Sequence, residues 1–132
     1  MFQLADAAVG QDVERAVRVL YGLQREGIAT ALTLWALARE VTALSNLWVG
    51  INSGASLSKA LNDARIRQSR QGMYAQALRA HDEASIRALV AGAARADRIV
   101  KGASPGVPWN ALMELVLLLA KPGFTDRVAL AG

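Results

Sequence analysis

Residues 28–49 read IATALTLWALAREVTALSNLWV, and the nature of this stretch decides what the chain can be. It is long enough to tempt a reading as a membrane-spanning helix. Arg39 and Glu40 stand at its midpoint, however, where each charge would cost about 3 kcal/mol in the membrane. As a soluble helix it places Leu34, Leu37, Ala38, Val41, Leu44, Ser45 and Trp48 on one face, at steps of three and four residues. Leu32, Trp35 and Leu47 cover much of the rest. A helix apolar on most sides belongs at the centre of a bundle, with Trp35 and Trp48 as buried or half-buried anchors. No membrane partner is expected.

Helical signals extend on both sides. FQLADAAV (2–9) predicts a short helix ended by Gly10. DVERAVRVLYGLQREG (12–27) predicts a second, with Val13, Val17, Leu20 and Tyr21 inward and Gly27 at its C-terminal turn, where a residue tolerant of positive φ is needed. After the central stretch, GINSGAS (50–56) predicts a loop by composition, and LSKALNDAR (57–65) a short helix. Ser69 is expected to cap RQGMYAQALRAH (70–81), and Asp82 to cap a longer helix over about 83–101. That helix carries Ile86, Leu89, Val90, Ala93, Ala96, Asp97 and Val100 on one stripe. Pro108 suits a first helical position, and WNALMELVLLLAK (109–121) follows with Trp109, Leu112, Leu115, Val116 and Leu119 inward. The expectation is a single all-α domain of six or seven helices.

Composition agrees. The 132 residues are 53% hydrophobic and 20% charged, and a chain of this length buries roughly 65–70% of its unfolded surface in one core. Without cysteine there are no disulfides, thiolate metal sites or cysteine nucleophiles. The N-terminus carries Asp6 and no cationic start, unlike a signal peptide. Nothing points to secretion, and a cytoplasmic location is expected.

Positive charge is unevenly spread within a net +4. Residues 59–101 hold nine basic side chains (Lys59, Arg65, Arg67, Arg70, Arg79, Arg87, Arg95, Arg98, Lys101) against four acids (Asp63, Asp82, Glu83, Asp97), a local excess of +5. Such a segment suits an anionic partner, nucleic acid first, or is simply a solvated arginine-rich surface.

Groups for catalysis are few. His81, the sole histidine, is expected on a surface turn with no base or nucleophile beside it. Asp12/Glu14 and Asp82/Glu83 stand at helix starts, where carboxylates complement the dipole. ADRIVKGASPGVPW (96–109) is superficially like a phosphate loop, but the lysine precedes the glycines and no strand leads into it. Asp97 and Lys101 are spaced as a helix-end ion pair, with Asp97 on the apolar stripe and in need of a partner. Trp109 is expected to lock the next helix against that end. Asp97, Lys101 and Trp109 are therefore structural, and no catalytic residue, metal, cofactor or small-molecule substrate is expected.

Five segments in order, LADAAVGQDVERAVRVLYGLQREG, LTLWALAREVTAL, ARIRQSRQGM, ADRIVKG and PWNALMELVLLLA, together resemble the C-terminal domain of the delta subunit of bacterial DNA polymerase III, part of the sliding-clamp loader. The resemblance runs from about Phe2 to Leu130. It implies a helical collar domain, assembled in a ring with gamma/tau-type ATPase subunits and delta-prime. Nucleotidyl transfer belongs to the wider holoenzyme, not to this chain. The family's N-terminal modules are missing from the sequence, which opens at Met1 on the first collar helix, so an excised domain spanning 1–132 is expected. The resemblance also turns ARIRQSRQGM and KGASPGVPW towards the ring interior, which makes Arg65, Arg67, Arg70 and Lys101 candidates for contact with primer–template DNA. Some relatives carry aromatic side chains where this chain has Arg67 and Ser104, so phosphate contact is expected here rather than base stacking. A stand-alone basic helical module that binds nucleic acid remains the alternative.

Overall fold

The computed structural model describes residues 2–124; Met1 and the final stretch of the resemblance, 125–130, lie outside the described residues. Within them the chain is all-α, with seven helices: α1 (Phe2–Val9), α2 (Val13–Arg25), α3 (Thr30–Asn52), α4 (Leu57–Asp63), α5 (Gln68–Ala80), α6 (Glu83–Val100) and α7 (Pro108–Ala120).

The core is organised around α7 as much as around α3. α7 packs on α1, α2, α3 and α6, and buries Leu112, Leu115, Val116, Leu118 and Leu119. Fully burying one such side chain is worth about 2 kcal/mol. Pro108 opens α7 at a first-turn position, as its sequence predicts. α3 packs on α1, α4, α5, α6 and α7. α6 and α7 approach closely at Gly92, where a Cβ would lie 2.6 Å from Leu118 Cδ1.

Five helices end alike. In each, a residue just past the last turn adopts positive φ, and its N–H and that of the next residue return to carbonyls inside the helix. That residue is Gly27 after α2, Gly54 after α3 and Gly102 after α6, but Gln11 after α1 and Arg65 after α4.

Several expectations need correction. α3 runs to Asn52, so Gly50 and Ile51 are helical rather than looped. Trp35 is 57% exposed, and Leu32 also faces solvent; Trp48 is half-buried on the core as anticipated. Tyr21 and Val90 are exposed, and the inward stripe of α2 is Ala16, Leu20 and Leu23. An apolar helix surface does not choose which of its sides its neighbours cover. α5 starts at Gln68, two residues earlier than a Ser69 cap would have it. Arg67 takes the cap position, with no side-chain bond to the helix. Asp82 does cap α6, in a reciprocal pair with Ser85: the Ser85 N–H donates to the Asp82 carboxylate at 2.8 Å, and the Asp82 N–H to Ser85 Oγ at 2.8 Å.

His81 is the largest correction. It is 4% exposed, wedged between the start of α6 and the end of α7. Its Nε2–H donates to the Leu119 carbonyl at 3.2 Å, and Nδ1 lies 3.0 Å from Ser85 Oγ. Burial lowers its pKa below the ordinary histidine value, against the opposing pull of the Leu119 carbonyl and the Asp82 charge.

Candidate functional site

The basic turn between α4 and α5 is built by the way α4 ends. The Arg65 N–H returns to the Asn62 carbonyl and the Ile66 N–H to Leu61, which swings the chain outward with Arg65 at φ 59°. Ile66 tucks against the core between Arg65 and Arg67, both of which stand exposed. Neither Arg65 nor Arg67 has an ion-pair partner among the described residues. The first turn of α5 carries no carboxylate to neutralise its positive end, so turn and helix dipole add with the same sign.

Arg70, one turn further on, is not a free cation. One of its guanidinium nitrogens lies 2.9 Å from Asp6 Oδ1 on α1 and 2.9 Å from Glu40 Oε1 on α3, and the group sits 5.3 Å from the Tyr74 ring centroid. The Tyr74 hydroxyl donates to the second Glu40 oxygen. Burial works against the charged form of Arg70. The bond to Glu40 and the charges of Glu40 and Asp6 outweigh it and raise its pKa. Of the predicted trio, Arg65 and Arg67 share an exposed turn, while Arg70 is committed to holding that turn's helix onto α1 and α3.

Lys101 lies elsewhere, at the end of α6, paired with Asp97 at 3.0 Å. Both are substantially exposed, so the pair is worth only a few tenths of a kcal/mol. Asp97 reaches its partner at the edge of the stripe rather than from inside it. Trp109 is half-buried against the core at the start of α7, and Ser104 is half-buried in the intervening loop. α4 and α5 pack on α3, whereas α6 packs on α3 and α7, so Lys101 belongs to a different part of the bundle from Arg65 and Arg67.

Sequence reasoning missed Glu40, Tyr74 and Asp6. One signal was available: a carboxylate in an otherwise apolar helix must find a cation or a donor. Nothing local says which, because Arg70 and Tyr74 lie 30 and 34 residues away.

The surface offers two shallow grooves. One follows α2 past Glu14, Val17, Arg18, Tyr21, Gln24 and Arg25. The other, of about 460 Å³, follows α3 past Trp35, Ala38, Arg39, Thr42, Ala43 and Asn46 to Ala64. Neither gathers an acid, a base and a nucleophile. Among the described residues no three His, Asp or Glu side chains cluster as metal ligands, and no helix is long and apolar enough to cross a membrane.

The family model of the processivity clamp loader gamma complex, DNA polymerase III C-terminal domain, matches residues 1–126. The chain belongs to this family. No individually curated protein matches it. A clamp-loader C-terminal domain is a structural, non-catalytic part of the loader, and membership implies other loader subunits as partners. The exposed apolar and basic surfaces of this clamp-loader domain become the features to explain.

Proposed function

We propose that this domain is the delta-subunit collar segment of a DNA polymerase III clamp loader. It packs helix against helix with gamma/tau-type ATPase subunits and delta-prime, and acts in chromosome replication in the cytoplasm. One observation carries the reading: a bundle that already has a complete core leaves Leu32, Trp35 and Val49 outward along a single helix, each about half-exposed. Large apolar groups aligned on one exposed face mark protein interfaces. The family match supplies the kind of assembly.

Arg65 and Arg67 serve as phosphate contacts to primer–template DNA within that assembly. Their support is exposure, lack of an internal partner and a shared turn; Lys101 is a lesser contributor, since Asp97 already pairs with it. Mixing the chain with the ATPase and delta-prime subunits and following co-migration by size exclusion tests the assembly. Failure to co-migrate, under conditions where full-length delta assembles, rejects it. Assembled loader carrying Arg65→Ala and Arg67→Ala together should bind primer–template more weakly and with a shallower salt dependence, by roughly one to two released counterions. Tight, salt-sensitive DNA binding by the isolated chain would favour a stand-alone nucleic-acid module instead.

A further inference from the structure

We infer that the outer face of α3 is the docking surface for an amphipathic helix of a neighbouring loader subunit, one that presents aliphatic side chains and a carboxylate. This rests on the collar reading above and assigns it a surface. The face is continuous: Leu32, Trp35, Arg39, Thr42, Asn46 and Val49 are all exposed and follow one another at steps of three and four residues, over about 26 Å of helix. Leu32 and Trp35 make its N-terminal end apolar, and Ala38, Ala43 and Ala64 line the groove beside Trp35. A partner helix can lie close along a groove lined by alanines, as in helix-in-groove recognition.

Charge selects the occupant. α3 contains two charged residues, and Glu40 is turned inward to Arg70 and Tyr74. Arg39 is thus the one charge that α3 shows to solvent, and the groove lining holds no carboxylate. Its guanidinium lies 4.8 Å from the Trp35 ring centroid, which holds the planar group over the aromatic face with its edge free to take a carboxylate in a paired hydrogen bond. Tryptophan and arginine are both among the residue types enriched where binding energy concentrates. A second copy of this chain is the poorer occupant. A two-fold contact repeats the same patch on both sides, so Arg39 would meet a surface that offers it no acid. The groove on α2 is different in kind, because Glu14 lies in the same lining as Arg18 and Arg25.

The test compares Trp35→Glu and Arg39→Glu with Tyr21→Ser, an exposed aromatic on α2, in co-assembly with the loader's ATPase and delta-prime subunits. Each variant is first checked for unchanged thermal unfolding, expected because all three side chains face solvent. Trp35→Glu should weaken assembly about thirtyfold or more, the loss typical of a central aromatic anchor. Arg39→Glu should weaken it in a salt-dependent manner, and Tyr21→Ser should assemble as the parent does. If the parent assembles and both α3 variants assemble equally well, the face is not the interface, while the collar reading stands. If the parent itself fails to assemble, the collar reading falls and takes this surface with it. A concentration-dependent dimer of the isolated chain, abolished by Trp35→Glu, would overturn the proposed occupant in favour of a second copy.

Discussion

The Tyr74 hydroxyl donates to the buried carboxylate of Glu40, fastening α5 to α3 across 34 residues of sequence. Arg70 joins the same carboxylate and extends the link to Asp6 on α1. Three helices thus meet at one carboxylate that is about one-tenth exposed. The basic turn of Arg65 and Arg67 begins α5, so this cluster fixes where that turn stands.

Removing the centre of the cluster should cost far more than trimming its edge. Glu40→Ala leaves Arg70 and Tyr74 without their acceptor in a largely buried site and should destabilise the fold by about 3 kcal/mol. Tyr74→Phe deletes one hydrogen bond and should cost about 1–2 kcal/mol. Urea unfolding followed by circular dichroism measures both. Equal losses for the two variants would show that Glu40 is not the hub.

Arg65 occupies a position that glycine fills after α2, α3 and α6. A side chain in the left-handed region costs about 1 kcal/mol. Arg65→Gly should therefore stabilise the domain by up to about 1 kcal/mol while weakening DNA binding by the assembled loader. Opposite signs in unfolding and binding experiments would separate the role of the side chain from that of the backbone. Loss of stability would mean that the left-handed turn is not strained.

Stability should fall as pH drops below about 6.5, the ordinary histidine value. Because the folded pKa of His81 is lowered, the unfolded chain binds the proton first as pH falls. Stability is therefore complete above the unfolded pKa and is lost as pH falls through the folded one. No other histidine is present to add to that window. Asp82, whose pKa is lowered by the Ser85 N–H, contributes in the same direction but in a separate window below its ordinary value of 3.8. Thermal unfolding of the parent and of His81→Gln at pH 7.5 and 5.5 is the measurement. The parent should lose more on acidification than the variant does.

Close packing of α6 on α7 depends on the missing side chain of Gly92. Gly92→Val places a branched side chain against Leu118 and Leu115 in the core and should destabilise by about 2 kcal/mol. Gly92→Ala should come closer to neutral, because a helix propensity gain of about 1 kcal/mol opposes the crowding. Both are read from urea midpoints.

The sequence by itself determined the helices and most of their ends. Asp82, Gly27 and Pro108 act within a turn of their own helix, and signals of that range are written locally. The turn of Arg65 and Arg67 comes from the family resemblance, whereas the residues alone put Arg65 inside a helix over 57–65; both side chains are exposed. Tertiary structure alone decided which side of α3 is covered, that Trp35 lies outside, that His81 lies inside against the end of α7, and that Arg70 is spent on Glu40 and Asp6. Periodicity reports which residues share a helix face. Which face is covered, and which charge meets which, is settled by helices that dock from tens of residues away, where packing and desolvation rather than local propensity set the energy.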